Sequence, residues 1–310
     1  MSALIEIILP VFLVMGFGFA AVKRGLFSLD GVDALMRFSQ GFAIPLLLFR
    51  AISTLDLGRG YDAGLMLSYY SGSLAGFLFG MLGARFLFGR AWDVAVAVGF
   101  SALFANSVLL GLPISELAFG ADALAPNYAI ISVHAAFCYF LGISTMELVR
   151  GSGGGARAAA LAVLKAMFRN TLMLAILLGF AVNLSGLTLP GAVADAFDLV
   201  VRAALPTALF ALGGILTRYR PEGDMRLVLW VCALSLLLHP LIVLGVGTRL
   251  AALPAEMLKP AVLTAAMAPG FNAYIFANIY GVGKRIAATS VLVGTALSVF
   301  SIWFWLWVLG

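Results

Sequence analysis

Phe104-Ala105-Asn106-Ser107-Val108-Leu109-Leu110-Gly111-Leu112-Pro113 and Met267-Ala268-Pro269-Gly270-Phe271-Asn272 are two interruptions inside otherwise apolar stretches. The first brings an amide, a glycine and a proline together within eight residues, and the second does so within six. Proline lacks the N–H that a helix interior needs, and its ring collides with the preceding turn. In lipid, each freed backbone group must find another partner, so such breaks persist only where they are buried in protein or line a cavity. Half-helix N-termini beside a break carry partial positive charge, which suits an anion.

The surrounding composition fixes the solvent. Of 310 residues, 63% are hydrophobic and 11% charged, with a mean hydropathy of +1.09. A soluble domain is about 45–50% apolar and about 25% charged, so a soluble globule is excluded. At about 20 residues per span, the apolar content suffices for up to about ten spans. Cutting at charge and Gly/Pro clusters places them near 4–22, 34–55, 64–88, 93–118, 124–149, 166–184, 193–217, 226–250, 258–280 and 286–308. The first run lacks a basic leader and is followed by Lys23 and Arg24, so it reads as a retained span. A Gly-rich, basic linker, 151–165, divides the chain into a five-span segment, 1–150, and a second, 166–310.

Sidedness follows from the basic residues. Of the 19 Lys and Arg, Arg50, Arg59, Arg202, Arg249 and Lys259 fall on one side and the other fourteen on the opposite side. The positive-inside rule then puts the linker in the cytoplasm and both termini outside. The net charge of +5 is spread over these short connections, so no nucleic-acid partner is implied. Cys138 and Cys232 both sit in apolar segments, which offers neither a disulfide framework nor a metal motif.

Sliding the chain by 161 residues aligns Gly18-Phe19-Ala20 and Gly25-Leu26 with Gly179-Phe180-Ala181 and Gly186-Leu187. The same offset aligns Pro45-x-x-Leu48-Phe49 with Pro206-x-x-Leu209-Phe210, and Gly120 with Gly281. Because five spans is an odd number, the second repeat must be inserted upside down. That arrangement recurs in secondary transporters, whose substrate site lies where discontinuous helices meet.

Asn106-Ser107-x-x-x-Gly111-Leu112-Pro113 resembles the N-terminal crossover of the auxin efflux carrier family, and Asn272-x-x-x-x-Ala277-x-x-Tyr280-Gly281 is similar to its C-terminal counterpart. The likeness extends over the whole chain. It implies an all-α polytopic membrane protein of ten helices in two inverted five-helix repeats, with helices 4 and 9 broken and crossing. It also implies a scaffold domain, formed mainly by the first, second, sixth and seventh spans, and a transport domain that moves small organic carboxylates. The resemblance assigns Asn106 and Asn272 to the substrate pocket, which Ser107, Gly111, Pro113, Pro269 and Gly270 would shape. Two departures stand out: Ala105 and Ala268 occupy positions where members commonly carry proline, and Asn278-Ile279 replaces residues that are often acidic.

Other polar groups have blander readings beside functional ones. His134, in the fifth span, could carry a proton, touch substrate or hydrogen-bond within the bundle, and His239 could satisfy a carbonyl freed by Pro240. Glu6, Arg50, Glu116, Glu147 and Arg202 lie toward span ends, where snorkelling or interfacial pairing suffices. Gly72, Gly76 and Gly80 form a close-packing face. Gly281-Val282-Gly283-Lys284 is too short for a phosphate loop, and neither HExxH nor GxSxG occurs. No enzyme activity and no cofactor is therefore expected.

The sequence reads as a permease or efflux carrier of small organic anions working by alternating access in the inner membrane, with room for a homodimer. A sodium-coupled bile-acid-type symporter is the alternative in the same class, and a non-transporting receptor or assembly protein the alternative in another. The crossover strings carry no Asp or Glu, so electrogenic movement without a strict sodium requirement is expected. Moving one charge through 100 mV is worth about 2.3 kcal/mol. A reporter active only in the cytoplasm should work when inserted at 151–157 and stay silent after Gly310. Activity at the C-terminus would refute both the even span count and the inverted repeat.

Overall fold

A computed structural model describes residues 2–151, 161, 168, 170–219 and 223–310. The expected linker 151–165 therefore lies outside the described residues except for Gly151 and Leu161, as does the start of the expected sixth span. Among the described residues the regular structure is helical, apart from one isolated β-bridge. Among the described residues, seven helices are long and apolar enough to cross a membrane: α1 (Ser2–Lys23), α2 (Leu29–Ser53), α3 (Ala63–Phe86), α6 (Ala125–Arg150), α8 (Gly191–Leu216), α9 (Met225–Arg249) and α12 (Lys284–Leu309). The expected fourth span is two short helices, α4 (Trp92–Leu103) and α5 (Ser107–Phe119). The expected ninth is likewise α10 (Ala255–Ala265) and α11 (Asn272–Tyr280). α7 (Thr171–Ser185) is a further short apolar helix.

Prolines explain where the long helices deform. Widened π-turns at Ser39–Ala43, Ser107–Gly111 and Leu234–Leu238 each end two residues before a proline, namely Pro45, Pro113 and Pro240. The wider turn accommodates the ring and the missing N–H without ending the helix. Side chains satisfy the exposed N-termini: Ser28 Oγ, Asp62 Oδ1 and Asn170 Oδ1 accept from Gly31, Leu65 and Leu172 N–H at 2.9–3.0 Å. Asp224 caps α9 in the same way and accepts from Arg90 at 2.6 Å. That guanidinium holds the Asp224 carboxyl below its usual range. The stabilisation is thus present above the unfolded carboxylate's range and is lost as the pH falls through the depressed value.

The chain forms two compact units, each drawing helices from both sequence halves. The first comprises Met1–Ile8, Tyr61–Val163 and Tyr219–Gly310; the second comprises Leu9–Gly60 and Leu164–Arg218. Within the second, glycine lets backbones touch. A Cβ at Gly18 on α1 would collide with the Phe210 carbonyl of α8, and one at Gly213 with the Met15 carbonyl. On the other side, a Cβ at Gly179 of α7 would lie 3.0 Å from the Phe49 carbonyl of α2. The pairs Gly18–Phe210 and Gly179–Phe49 are related by the sequence offset of 161. Arg50 pairs with Asp198 at 3.0 Å, and Asn183 Nδ2 donates to the Ile52 and Leu55 carbonyls at 2.9 and 2.8 Å, closing the C-terminus of α2.

In the first unit the glycine face of α3 packs as its spacing implies. A Cβ at Gly76 would lie 3.0 Å from the Ala102 carbonyl, and one at Gly80 would lie 2.9 Å from Gly99 Cα, both on α4, while Gly72 abuts His239 of α9. Large apolar side chains remain on the outside, among them Phe17 at 61%, Phe300 at 71% and Trp307 at 66% exposure. Such a surface belongs in hydrocarbon.

These contacts separate two glycines one half-turn apart. Gly18→Ala should destabilise the protein in detergent by about 1–3 kcal/mol, because the methyl group has nowhere to go. Gly16→Ala, with nothing within 4 Å of its Cβ position, should be neutral or gain up to about 1 kcal/mol from helix propensity. Denaturant unfolding of the two variants checks the contrast, and equal stabilities would refute the close crossing.

Candidate functional site

The two breaks meet. Phe104 leaves α4 in an extended conformation with φ −89° and ψ 91°, and Ala105 pairs antiparallel with Pro269. Asn106 N–H donates to the Ala268 carbonyl at 2.8 Å, and Gly270 N–H donates to the Phe104 carbonyl at 2.7 Å. These bonds flank the pair, so Ala105 and Pro269 sit at its non-hydrogen-bonded position. Proline is tolerated there because the bridge asks nothing of its missing N–H. A Cβ at Gly294 of α12 would lie 2.6 Å from Pro269 Cδ, so that glycine makes room for the ring.

The bridge brings Asn106, Pro269 and Gly270 together directly. Asn106 is 6% exposed, and its Nδ2 is buried without a hydrogen-bond partner. Ser107 is buried as well and donates its N–H to the Ala105 carbonyl at 2.9 Å, while Gly111 closes the π-turn that precedes Leu112-Pro113. A Cβ at Gly111 would lie 3.6 Å from Thr264 of α10, whose hydroxyl is also buried without a partner. Asn272 opens α11, and its Oδ1 accepts from the Tyr139 hydroxyl of α6 at 3.1 Å.

The bridge relates the breaks by an offset of 164 residues rather than the 161 that holds for the glycine pairs. The extra residues lie in the first half-helix: from the bridge to the terminating glycine the chain runs fifteen residues to Gly120 but twelve to Gly281. As a result Asn106 and Asn272 are not mates. The pairing matches Asn106 with Gly270, and Asn272 stands two residues further from the bridge than Asn106 does.

His134 is buried on α6 and lies edge-on to Phe104, with centroids 4.8 Å apart, and to Tyr69 at 5.7 Å. The Cys138 sulfur approaches both ring nitrogens at 3.7 and 3.8 Å. Across Tyr69 stands His239, whose Nε2 lies 3.2 Å from Ser73 Oγ and 3.3 Å from the Tyr69 carbonyl. The Tyr69 carbonyl accepts a hydrogen bond from this ring in the tautomer that carries its proton on Nε2, and the Ser73 hydroxyl donates to it in the other. Sequence reasoning did not single out Tyr139 or Thr264: each is one polar residue in an apolar helix, and only the fold brings it to the breaks.

The bridge geometry makes a sharp prediction. Ala105→Pro should preserve folding, because position 105 needs no N–H in the bridge and Phe104 before it is already extended. Gly270→Pro should lower stability by about 1–3 kcal/mol, since it deletes a buried donor and orphans the Phe104 carbonyl. Thermal unfolding in detergent compares the two. A destabilised Ala105→Pro beside a parent-like Gly270→Pro would overturn the assignment.

Residues 3–306 match the family described as "Membrane transport protein". The chain is 24% identical over 304 residues to a "Putative malonate transporter" of Rhizobium meliloti (strain 1021), covering 97% of this chain and 94% of that protein. It is 26% identical over 305 residues to "Uncharacterized transporter YfdV" of Escherichia coli (strain K12), covering 97% and 96%. An "Uncharacterized transporter" of Methanothermobacter thermautotrophicus is 26% identical over 304 residues, with the same coverage. With nearly its whole length matched, this multi-pass membrane chain belongs to the membrane transport protein family of auxin efflux carriers, and it is a transporter rather than an enzyme.

Proposed function

We propose that this transporter moves small organic anions, carboxylates foremost, by alternating access through the crossed helices. The observation that carries the reading is Asn106 Nδ2, a buried amide donor at the bridge with no partner. An unsatisfied buried donor costs about 1–3 kcal/mol, and a carboxylate oxygen would relieve it. Asn272 accepts from Tyr139 through its Oδ1, and its Nδ2 can donate. Amide donors beside the N-termini of α5 and α11 favour a ligand that accepts. Ser107, Gly111, Pro113, Pro269 and Gly270 keep the backbone open around them. The relative described as a malonate transporter is consistent with a short carboxylate.

Alternating access needs two bodies, and the second unit, built from α1, α2, α7 and α8, is the scaffold in this reading. The first unit, with the crossover, carries the substrate. The glycine pairs at a common offset of 161 and the antiparallel bridge support two inverted five-helix repeats, 1–150 and 166–310, and the distribution of Lys and Arg supports both termini lying outside the inner membrane.

Asn106→Ala and Asn272→Ala should each weaken malonate binding by about 10- to 150-fold, the equivalent of one charge-assisted hydrogen bond of about 1.5–3 kcal/mol. Both variants should still reach the membrane and unfold near the parent temperature. Calorimetry on the purified proteins decides the point: parent-like affinity in both would reduce these asparagines to helix packing, and a parent protein that ignores malonate and other short carboxylates would remove the substrate class.

A further inference from the structure

The half-helix α11 meets one face of α6 at its start and at its end, and Phe100 of α4 in its middle. At its start, the Tyr139 hydroxyl donates to Asn272 Oδ1 at 3.1 Å. In its middle, the Phe276 ring stacks face to face on Phe100 of α4, with centroids 3.9 Å apart and planes 7° apart. The stack sits over Gly142 of α6, where a Cβ would collide with Phe100 and lie 3.1 Å from Phe276. At its end, Arg150 Nη2 donates to the Tyr280 carbonyl at 2.7 Å, and the guanidinium lies 5.2 Å from the Tyr280 ring centre. The Tyr280 hydroxyl donates to Glu147 at 3.4 Å, and Asp93 in the first turn of α4 is 3.8 Å from the same Arg150 nitrogen.

Residues 272, 276 and 280 form one stripe on α11, and they meet 139, 142 and 147/150 on α6 in the same order. The two helices therefore run parallel and end together, so their partially negative C-termini lie side by side. Arg150 is the cation at that junction.

We propose that Arg150 is a positioning residue: it fixes the register of α11 along α6 and thereby the placement of Asn272 at the other end of the same nine-residue helix. The link to substrate rests on the carboxylate role proposed above for Asn272. The lock on α11 does not.

Hydrogen exchange of the detergent-solubilised protein tests the lock without any ligand. Arg150→Met should speed exchange of the 276–280 amides by about tenfold or more, because the last turn loses its tether. Arg150→Lys, which keeps a cation within reach of the Tyr280 carbonyl, should stay within about twofold of the parent. If Arg150→Met is not recovered folded, Arg150→Gln carries the comparison. The second arm is malonate affinity, where Arg150→Met should lose about tenfold and Arg150→Lys should recover most of it. Unchanged exchange in the Met or Gln variant overturns the proposal. Faster exchange with parent-like affinity, in a protein where Asn272→Ala weakens malonate, overturns the link to the site. If Asn272→Ala itself leaves affinity unchanged, the carboxylate role has failed, and the exchange arm alone decides the lock.

Discussion

Two backbone hydrogen bonds, Asn106 N–H to Ala268 and Gly270 N–H to Phe104, hold the centre of the first unit together. A helix that stops halfway through hydrocarbon leaves N–H and C=O groups that water cannot reach. Here each break serves as the partner of the other. That reciprocity explains why the interruptions occur as a pair, and why Pro269 stands at the one bridge position that needs no donor. Deleting either break alone would strand the other's polar groups.

The packing around the bridge holds it in place. Glycines bring neighbouring backbones close: Gly76 and Gly80 seat α3 against α4, and Gly294 makes room for the Pro269 ring. Two of the three π-turns lie in the middle of long helices, so α2 and α9 run on through Pro45 and Pro240 rather than ending there. α6 acts as a rail, presenting His134 to Phe104 near the first break, Tyr139 to Asn272 at the second, and Arg150 to the end of α11. The polar residues that the structure places near the breaks are amides, hydroxyls and the His134 imidazole rather than carboxylates, in keeping with the anionic ligand proposed above.

The two units cut across the sequence halves. Gly18 and Gly179 occupy equivalent sequence positions, yet each packs on a helix from the opposite half, α8 and α2 respectively. Two halves that each packed only on themselves would give two separate bundles. Exchange of partners is what builds the second unit from α1, α2, α7 and α8.

The sequence by itself determined the solvent, the positions of the interruptions and the residues that flank them, because composition and Gly/Pro placement act locally. It also carried the family resemblance that the whole-length match bears out. Tertiary structure alone decided which backbone groups pair across the breaks, since Asn106 and Ala268 are far apart in the chain and only folding joins them. The three-residue difference between the half-helices, which shifts the bridge offset from 161 to 164, is likewise invisible to a sliding match that scores Gly120 against Gly281. Tyr139, Thr264 and Arg150 gave no signal for the same reason. Their chemistry depends on what stands opposite them, and in a chain of apolar helices that is set by packing rather than by spacing along the sequence.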